Sequence, residues 1–318
     1  MPPEAETKTA TFHDSWPANQ LAWDSTSLGE FITCPRKYQY RILWGFVPQL
    51  LSPHLKFGLI YHKALETYDH SRAGGQDHQQ AVLAALRCAL GQTWDHRLNR
   101  PWASDIPEKT RLTLVRTVIW YLARFEEDVL ETVILANGKP AVELSFRFES
   151  GLTSGLSGLP YLLCGHLDRL CTLNGKPWIL DRKTTKGTLD EKYIAAYSPD
   201  NQMTLYNIAG EIVITSSVKG IIIDAAQVGA GFARFQRFFV HHTRGQQAEW
   251  LQDLEYWLLF SETCASTNYW PMNRKSCSNY GGCPYRQVCS QDPSQRKNLL
   301  NGLYKVEKWD PLITRGDI

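Results

Sequence analysis

Gly165-His166-Leu167-Asp168-Arg169-Leu170-Cys171-Thr172-Leu173-Asn174-Gly175-Lys176-Pro177-Trp178-Ile179-Leu180-Asp181-Arg182-Lys183-Thr184 is the stretch on which the fold turns. Apolar runs enter and leave an Asn174-Gly175 pair, the strongest short-range hairpin signal, because a type I′ turn needs positive φ at both central positions. With that turn, Leu173 faces Lys176, and counting back along both strands sets Asp168 opposite Asp181. Side chains alternate along a strand, so Asp181 and Lys183 share a face, and this register brings Asp168 to them.

Two carboxylates directly opposed across a sheet repel each other, so the pattern calls for positive charge between them. A hard divalent cation held by Asp168 and Asp181, with Lys183 beside it to orient a water or stabilise negative charge, points to metal-assisted hydrolysis of a phosphodiester. The duller alternative is a solvated hairpin face on which Asp and Lys merely pair.

Eight cysteines stand at 34, 88, 164, 171, 264, 277, 283 and 289. Three of them, Cys277, Cys283 and Cys289, fall in one stretch rich in turn formers: Ser278, Asn279, Gly281, Gly282 and Pro284. Thiolates gathered in this way suit zinc, an iron–sulfur cluster or disulfides. The close cysteine pairs usual in zinc sites are missing, and a fourth ligand must come from elsewhere. Cys34 is the candidate, just after a short helix opened by Ser27-Leu28-Gly29-Glu30, which reads as a capping box. Cys88, Cys164 and Cys171 sit in apolar runs where core packing accounts for them. The first residues, Met1-Pro2-Pro3-Glu4-Ala5-Glu6-Thr7, lack the basic and apolar regions of a secretory signal, so a cytoplasmic or nucleoid-associated location is expected rather than secretion.

Taken in order, Cys34-Pro35, Gly58-Leu59-Ile60-Tyr61-His62, Glu143, Gly165-His166-Leu167-Asp168-Arg169, Asp181-Arg182-Lys183-Thr184, Gln202-Met203-Thr204-Leu205-Tyr206 and the three late cysteines resemble a RecB-type nuclease of the PD-(D/E)XK superfamily. The resemblance is to the branch with an iron–sulfur cluster, AddB-like or like the CRISPR-associated adaptation exonucleases. It implies an α/β fold: a restriction-endonuclease-like core, a mixed central sheet flanked by helices, with a helical insertion. An iron–sulfur staple would join the N- and C-terminal segments. It further implies that His62, Asp168 and Asp181 hold Mg2+ or Mn2+ together with a backbone carbonyl beside Asp181, and that Lys183 is the catalytic lysine. Cys34, Cys277, Cys283 and Cys289 would ligate the cluster, of the four-iron type. Gln202 and Tyr206, one turn apart on a helix, would contact DNA, with Ser198-Pro199 opening that helix and Glu143 as possible support.

The scaffold reads as one large α/β domain or a core with a helical insertion, since 318 residues of 43% hydrophobic content supply ample apolar material. Helices are expected over 55–70, 77–97, 108–135, 199–210 and 246–264, the third from Leu112, Val115, Ile119, Leu122, Phe125 and Val129 at helical spacing. Strands are expected near 141–149, 160–172, 177–183, 220–225 and 233–240. The expected division is a polar tail over 1–20, a nuclease domain over 21–290 with its insertion at about 77–135 and cysteine segment at 277–289, and a tail over 291–318.

No run is long enough for a membrane span, and net charge of +2 gives no global nucleic-acid signal. Local basic groups must carry it: Arg36, Lys37 and Arg41, then Arg182, Lys183 and Lys186, then Arg274 and Lys275, with Tyr38, Tyr40, Trp44, Tyr280 and Tyr285 available to stack on bases. No G-x-x-x-x-G-K-[ST] motif is present, so any unwinding falls to a separate helicase or a replication or recombination partner. The expected activity is a metal-dependent DNase, an exonuclease on single-stranded DNA ends in repair, recombination or replication. The competing reading is a DNA-binding or assembly protein with a structural cluster and an idle nuclease site.

Overall fold

A computed structural model describes residues 19–313; the outer parts of both expected tails, 1–18 and 314–318, lie outside the described residues. In chain order the principal elements begin with β1 (Ala22–Trp23), α1 (Ser25–Thr33), β2 (Phe46–Pro48), α2 (Pro53–Ala73), α3 (His78–Gln92), α4 (Arg111–Arg124) and β3 (Glu131–Thr132). They continue with β4 (Val142–Thr153), β5 (Pro160–Leu173), β6 (Lys176–Thr185), α5 (Asn201–Ile214), β7 (Ile221–Val228), β8 (Ala233–Val240), α6 (Arg244–Ser266), α7 (Arg296–Leu303) and β9 (Tyr304–Val306). The chain divides into two compact units. One holds residues 51–144 and 166–244, the other, among the described residues, 19–50, 145–165 and 245–313.

The first unit is a mixed sheet flanked by helices. The second half of β5 pairs antiparallel with β6, β6 runs parallel to β7, and β7 pairs antiparallel with β8. The β5–β6 register is the expected one, from Leu173↔Lys176 to Arg169↔Leu180, and Asn174 and Gly175 take φ of 52° and 70° as a type I′ turn requires. The triple isoleucine Ile221-Ile222-Ile223 lies in a strand buried along its whole length, the usual fate of a strand covered on both faces. Asp224 breaks that run and is nevertheless 1% exposed; its oxygens take the Tyr121 hydroxyl and the Arg237 guanidinium.

The helices assemble by apolar stripes. Phe57, Ile60, Tyr61, Ala64 and Leu65 of α2 meet Ala85 and Ala89 of α3, Leu114, Val118, Tyr121 and Leu122 of α4, and Ala226 and Val228 of β7. Each large side chain so buried contributes about 1.5–3 kcal/mol.

Two expectations for this unit are corrected. The helix expected over 108–135 ends at Arg124, and its buried stripe is Thr113, Leu114, Thr117, Val118, Tyr121 and Leu122, whereas Leu112 is 74% and Val129 70% exposed. Both stripes satisfy helical spacing on an apolar-rich segment; packing against α2 selects the one offset by two residues. Asp128 then takes the Leu130 N–H, and the chain turns into β3. Further on, α5 is capped by Asp200, which accepts the Met203 N–H at 2.9 Å, and Ser198-Pro199 lies before the cap.

In the second unit α1 is capped by Asp24, not Ser27. Asp24 accepts the Ser27 N–H and the Ser27 hydroxyl faces the Asp24 N–H, so Ser27 is the partner three residues into the helix. Glu30 is thereby left to pair with Lys37 and Arg41. The region expected as a tail after 291 carries α7 and β9, and β9 pairs with β2 from Tyr304↔Pro48 to Val306↔Phe46. Leu300 buries with Tyr40, Phe46, Tyr285 and Val288, which a polar reading of the tail overlooked because the apolar residues are few and spaced by one helical turn.

Candidate active site

Pairing between β5 and β6 is recorded up to Arg169↔Leu180, and next to it the Asp168 carboxylate takes the place of a main-chain acceptor: Oδ2 accepts the Arg182 N–H at 2.7 Å. The same oxygen is 3.4 Å from Nδ1 of His62, which α2 carries to this point. Across the strand pair Asp181 is 2% exposed; its Oδ2 is buried and takes no aligned hydrogen bond, with the Lys183 ammonium 2.7 Å away as a charge partner. Lys183 Nζ also donates to Gln202 Oε1 at 2.8 Å, and Gln202 Nε2 donates to the Tyr206 hydroxyl at 3.0 Å. His62, Asp168, Asp181, Lys183, Gln202 and Tyr206 therefore form one connected group.

The two carboxylates share their surroundings unequally. Burial raises the pKa of both, but Asp168 has His62, Lys183 and the Arg182 N–H against it and ends well below the usual carboxylate range. Asp181 is pushed up to about 6 by burial, with the Asp168 charge adding and Lys183 opposing. Burial also disfavours the charged forms of His62 and Lys183, yet the carboxylate beside each outweighs it and both are raised. At neutral pH the site is two carboxylates held by an ammonium and an imidazole.

A hard cation fits this donor set: facing carboxylates, one with a buried oxygen lacking an aligned donor, and positive groups gathered where a cation's charge is wanted. Among the described residues no three His, Cys, Asp or Glu side chains already close into a coordination sphere. A cation approaching Asp181 Oδ2 would meet the Lys183 ammonium there.

The remaining candidates are placed as follows. Glu143 is half-buried at the start of β4 with φ of 48°. Gln202 is half-buried and Tyr206 8% exposed, so the helical spacing is as expected but the tyrosine is not an open surface. Tyr38, Tyr40 and Tyr285 are core residues, each 2% exposed or less, and do not offer stacking faces; Trp44 is 43% exposed and the Tyr280 side chain lies outside the described residues. Arg182 is likewise not a surface cation, at 3% exposed and bonded to Asp69.

Sequence reading missed that second layer. Asp69, Arg169 and Arg182 lie behind the carboxylates, and the available signal was an arginine directly after each aspartate, Asp168-Arg169 and Asp181-Arg182.

In the other unit Cys34, Cys277, Cys283 and Cys289 influence one another electrostatically, but among the described residues no three of them stand close enough to hold a metal ion. Cys283 is within electrostatic reach of Cys277 and Cys34, and Cys289 of Cys283 and Cys34. Cys34 Sγ accepts the Asn273 N–H at 3.4 Å, and Cys283 N–H bonds the Cys277 carbonyl at 2.9 Å. Burial pushes the Cys283 thiol up and Cys289 to about 11, so a cationic partner is needed before these become thiolates at neutral pH. Cys164, Cys171 and Cys264 are buried, and Cys88 is half-buried on α3.

A comparison with curated proteins finds no match. Among solved structures, a candidate exonuclease from Eubacterium rectale is similar at 12% identity, with a TM-score of 0.48 over 81% of this chain and 86% of that one. A protein designated SSO0001 is similar at 11% identity, with a TM-score of 0.32 over 76% of this chain and 77% of that one. Likeness at these levels says nothing of activity. The model for the PD-(D/E)XK nuclease superfamily matches residues 23–290, a span that includes His62, both aspartates, Lys183, Cys34, Cys277, Cys283 and Cys289, and the chain belongs to that superfamily.

Proposed function

We propose that this protein is a divalent-metal-dependent deoxyribonuclease, an exonuclease on single-stranded DNA ends serving repair, recombination or replication. Superfamily membership implies metal-dependent phosphodiester cleavage with DNA as substrate. The observation that carries the reading to this chain is the Asp168–Asp181 pair with Lys183 on the same strand face, 2.7 Å from Asp181. In the proposal His62, Asp168 and Asp181 hold Mg2+ or Mn2+. When bound, the cation supplies Lewis-acid charge at the scissile phosphate. Lys183, kept protonated by its carboxylate neighbour, donates to a phosphate oxygen as negative charge develops there. Gln202 meets the strand beside Lys183 and fixes the direction of its amine, while Tyr206 holds Gln202 from behind. Glu143 is a supporting residue in this reading. Unwinding is left to a separate helicase or recombination partner. Among the described residues no helix is long and apolar enough to cross a membrane.

Incubation with end-labelled single- and double-stranded DNA, with Mn2+ or with chelator, tests the substrate assignment. Mononucleotide release from single strands is expected; internal cuts in duplex as the main product would overturn the exonuclease reading.

The proton on Asp181 competes with the cation. Its carboxyl is charged above about 6 and neutral below, so Mn2+ affinity falls as pH drops through that value. Calorimetric titration on either side of it reads the effect, and an affinity independent of pH would contradict the role of Asp181.

The reading assigns the chain to the iron–sulfur branch, with Cys34, Cys277, Cys283 and Cys289 as ligands of a four-iron cluster; the support is their order in the sequence and the mutual electrostatic influence of Cys34, Cys283 and Cys289. Protein purified without air is then brown with about four irons per chain. Cys283→Ser bleaches it and lowers the melting temperature, whereas Cys88→Ser does neither. Stoichiometric zinc without iron or sulfide would refute the cluster.

A further inference from the structure

Each of the two active-site aspartates is followed by an arginine, and because strand side chains alternate, both guanidiniums leave by the face opposite the carboxylates. They converge on one residue. Asp69 Oδ2 accepts Arg182 Nη2 at 2.6 Å and its Oδ1 lies 3.4 Å from Arg169 Nη1. Asp69, Arg169 and Arg182 are 2%, 7% and 3% exposed, so the triad is largely buried, with Asp69 and Arg169 at the floor of a surface cavity. Asp69 stands seven residues after His62 on α2, two helical turns along the same side. Arg182 in turn gives its backbone N–H to Asp168 and lies between Asp181 and Lys183.

We propose that Asp69 is a positioning residue for the metal site: its carboxylate clips β5 to β6 from behind and fixes the separation of Asp168 and Asp181, which repel each other in front. The proposal rests on the nuclease reading of the site and deepens it. A buried carboxylate bridging two guanidiniums is strong in one geometry only, since any slip leaves a buried charge unpaired. Arg169 is further fixed by donating to the Leu130 carbonyl at 2.7 Å. Beyond it the charges are balanced by a neighbouring set, in which Arg237 holds Asp128 through two bonds of 2.7 and 2.8 Å and approaches Asp224 at 3.5 Å. That set is not independent of the clip, since Asp224 stands opposite Arg182 in the β6–β7 register and Asp128 lies 4.0 Å from Arg169; a control for simple stabilisation is Glu262 in the other unit, 9% exposed, which accepts the Gly155 N–H and the Tyr161 hydroxyl.

Mn2+ binding to the intact chain, followed by calorimetry at pH well above the Asp181 transition, is the test. Asp69→Asn and Glu262→Gln both lower the melting temperature, but Asp69→Asn alone weakens Mn2+ binding, by about tenfold or more, the usual cost of losing a group that orients metal ligands. It also lowers kcat while KM for DNA is unchanged. Unaltered Mn2+ affinity in folded Asp69→Asn, or an equal loss in Glu262→Gln, overturns the proposal. Should Asp69→Asn fail to fold, Arg169→Gln removes one arm of the clip, and unaltered Mn2+ affinity in that variant overturns it too. Absence of Mn2+ binding by the unsubstituted protein would instead overturn the nuclease reading, and the clip with it.

Discussion

Lys183→Ala lowers the rate of DNA cleavage by about 10²- to 10³-fold or more, the range seen when one preorganised charge donor is removed from a transition state. It does so without loss of metal. The Lys183 ammonium sits 2.7 Å from Asp181 Oδ2, the oxygen that lacks an aligned hydrogen bond, where it would compete with a cation for that carboxylate. Removing it therefore leaves Mn2+ affinity intact or tighter at pH well above the Asp181 transition, whereas Asp181→Ala loses both metal and activity. The opposite signs separate the group that acts on the phosphate from the group that holds the cation. Calorimetry beside single-turnover cleavage reads both, and a Lys183→Ala protein that cleaves at a near-normal rate contradicts the assignment.

Gly220→Ala destabilises the protein by about 3 kcal/mol or more, a large share of the stability of an ordinary domain. Gly220 has φ of 149°, and a Cβ built on it lies 2.2 Å from the Val240 carbonyl oxygen. That oxygen belongs to the main chain of β8, so a rotamer change cannot relieve the overlap. The Gly220 carbonyl also accepts the Ile179 N–H at 3.1 Å, where β6 and β7 begin their parallel pairing. The strain thus enters at the base of the strand that carries Asp181 and Lys183. Urea denaturation measures it; a midpoint equal to that of the unsubstituted chain would show that the backbone yields there at little cost.

The hairpin was legible because Asn174-Gly175 leaves a single turn type open, and the turn then fixes every pair back to Arg169↔Leu180. From that register alone Asp168, Asp181 and Lys183 fall together. His62 was legible only through the order of motifs: nothing local to α2 says that its imidazole reaches Asp168. Asp69 was invisible for the same reason, since a carboxylate on an amphipathic helix reads as solvated until the two arginines that bury it are in place. The phase of α4 was misjudged because periodicity defines a stripe but not which of two apolar stripes is covered. The caps of α1 and α5 were misassigned where several cap-forming residues adjoin, and side-chain geometry decides between Asp24 and Ser27, or Ser198 and Asp200. The aromatic residues near the cysteines were read as base-stacking, but Tyr38 stacks on Trp23 and Tyr285 on Tyr304 inside the fold. Composition cannot distinguish a ring offered to a ligand from one needed by the core.

Cleavage of end-labelled single-stranded DNA by the unsubstituted protein and by Asp181→Ala, each with Mn2+ and with chelator, bears most directly on the central claim. The account predicts cleavage only by the unsubstituted protein and only with Mn2+, while Asp181→Ala retains the native melting profile. Cleavage that persists in chelator, or in Asp181→Ala with Mn2+, would contradict it.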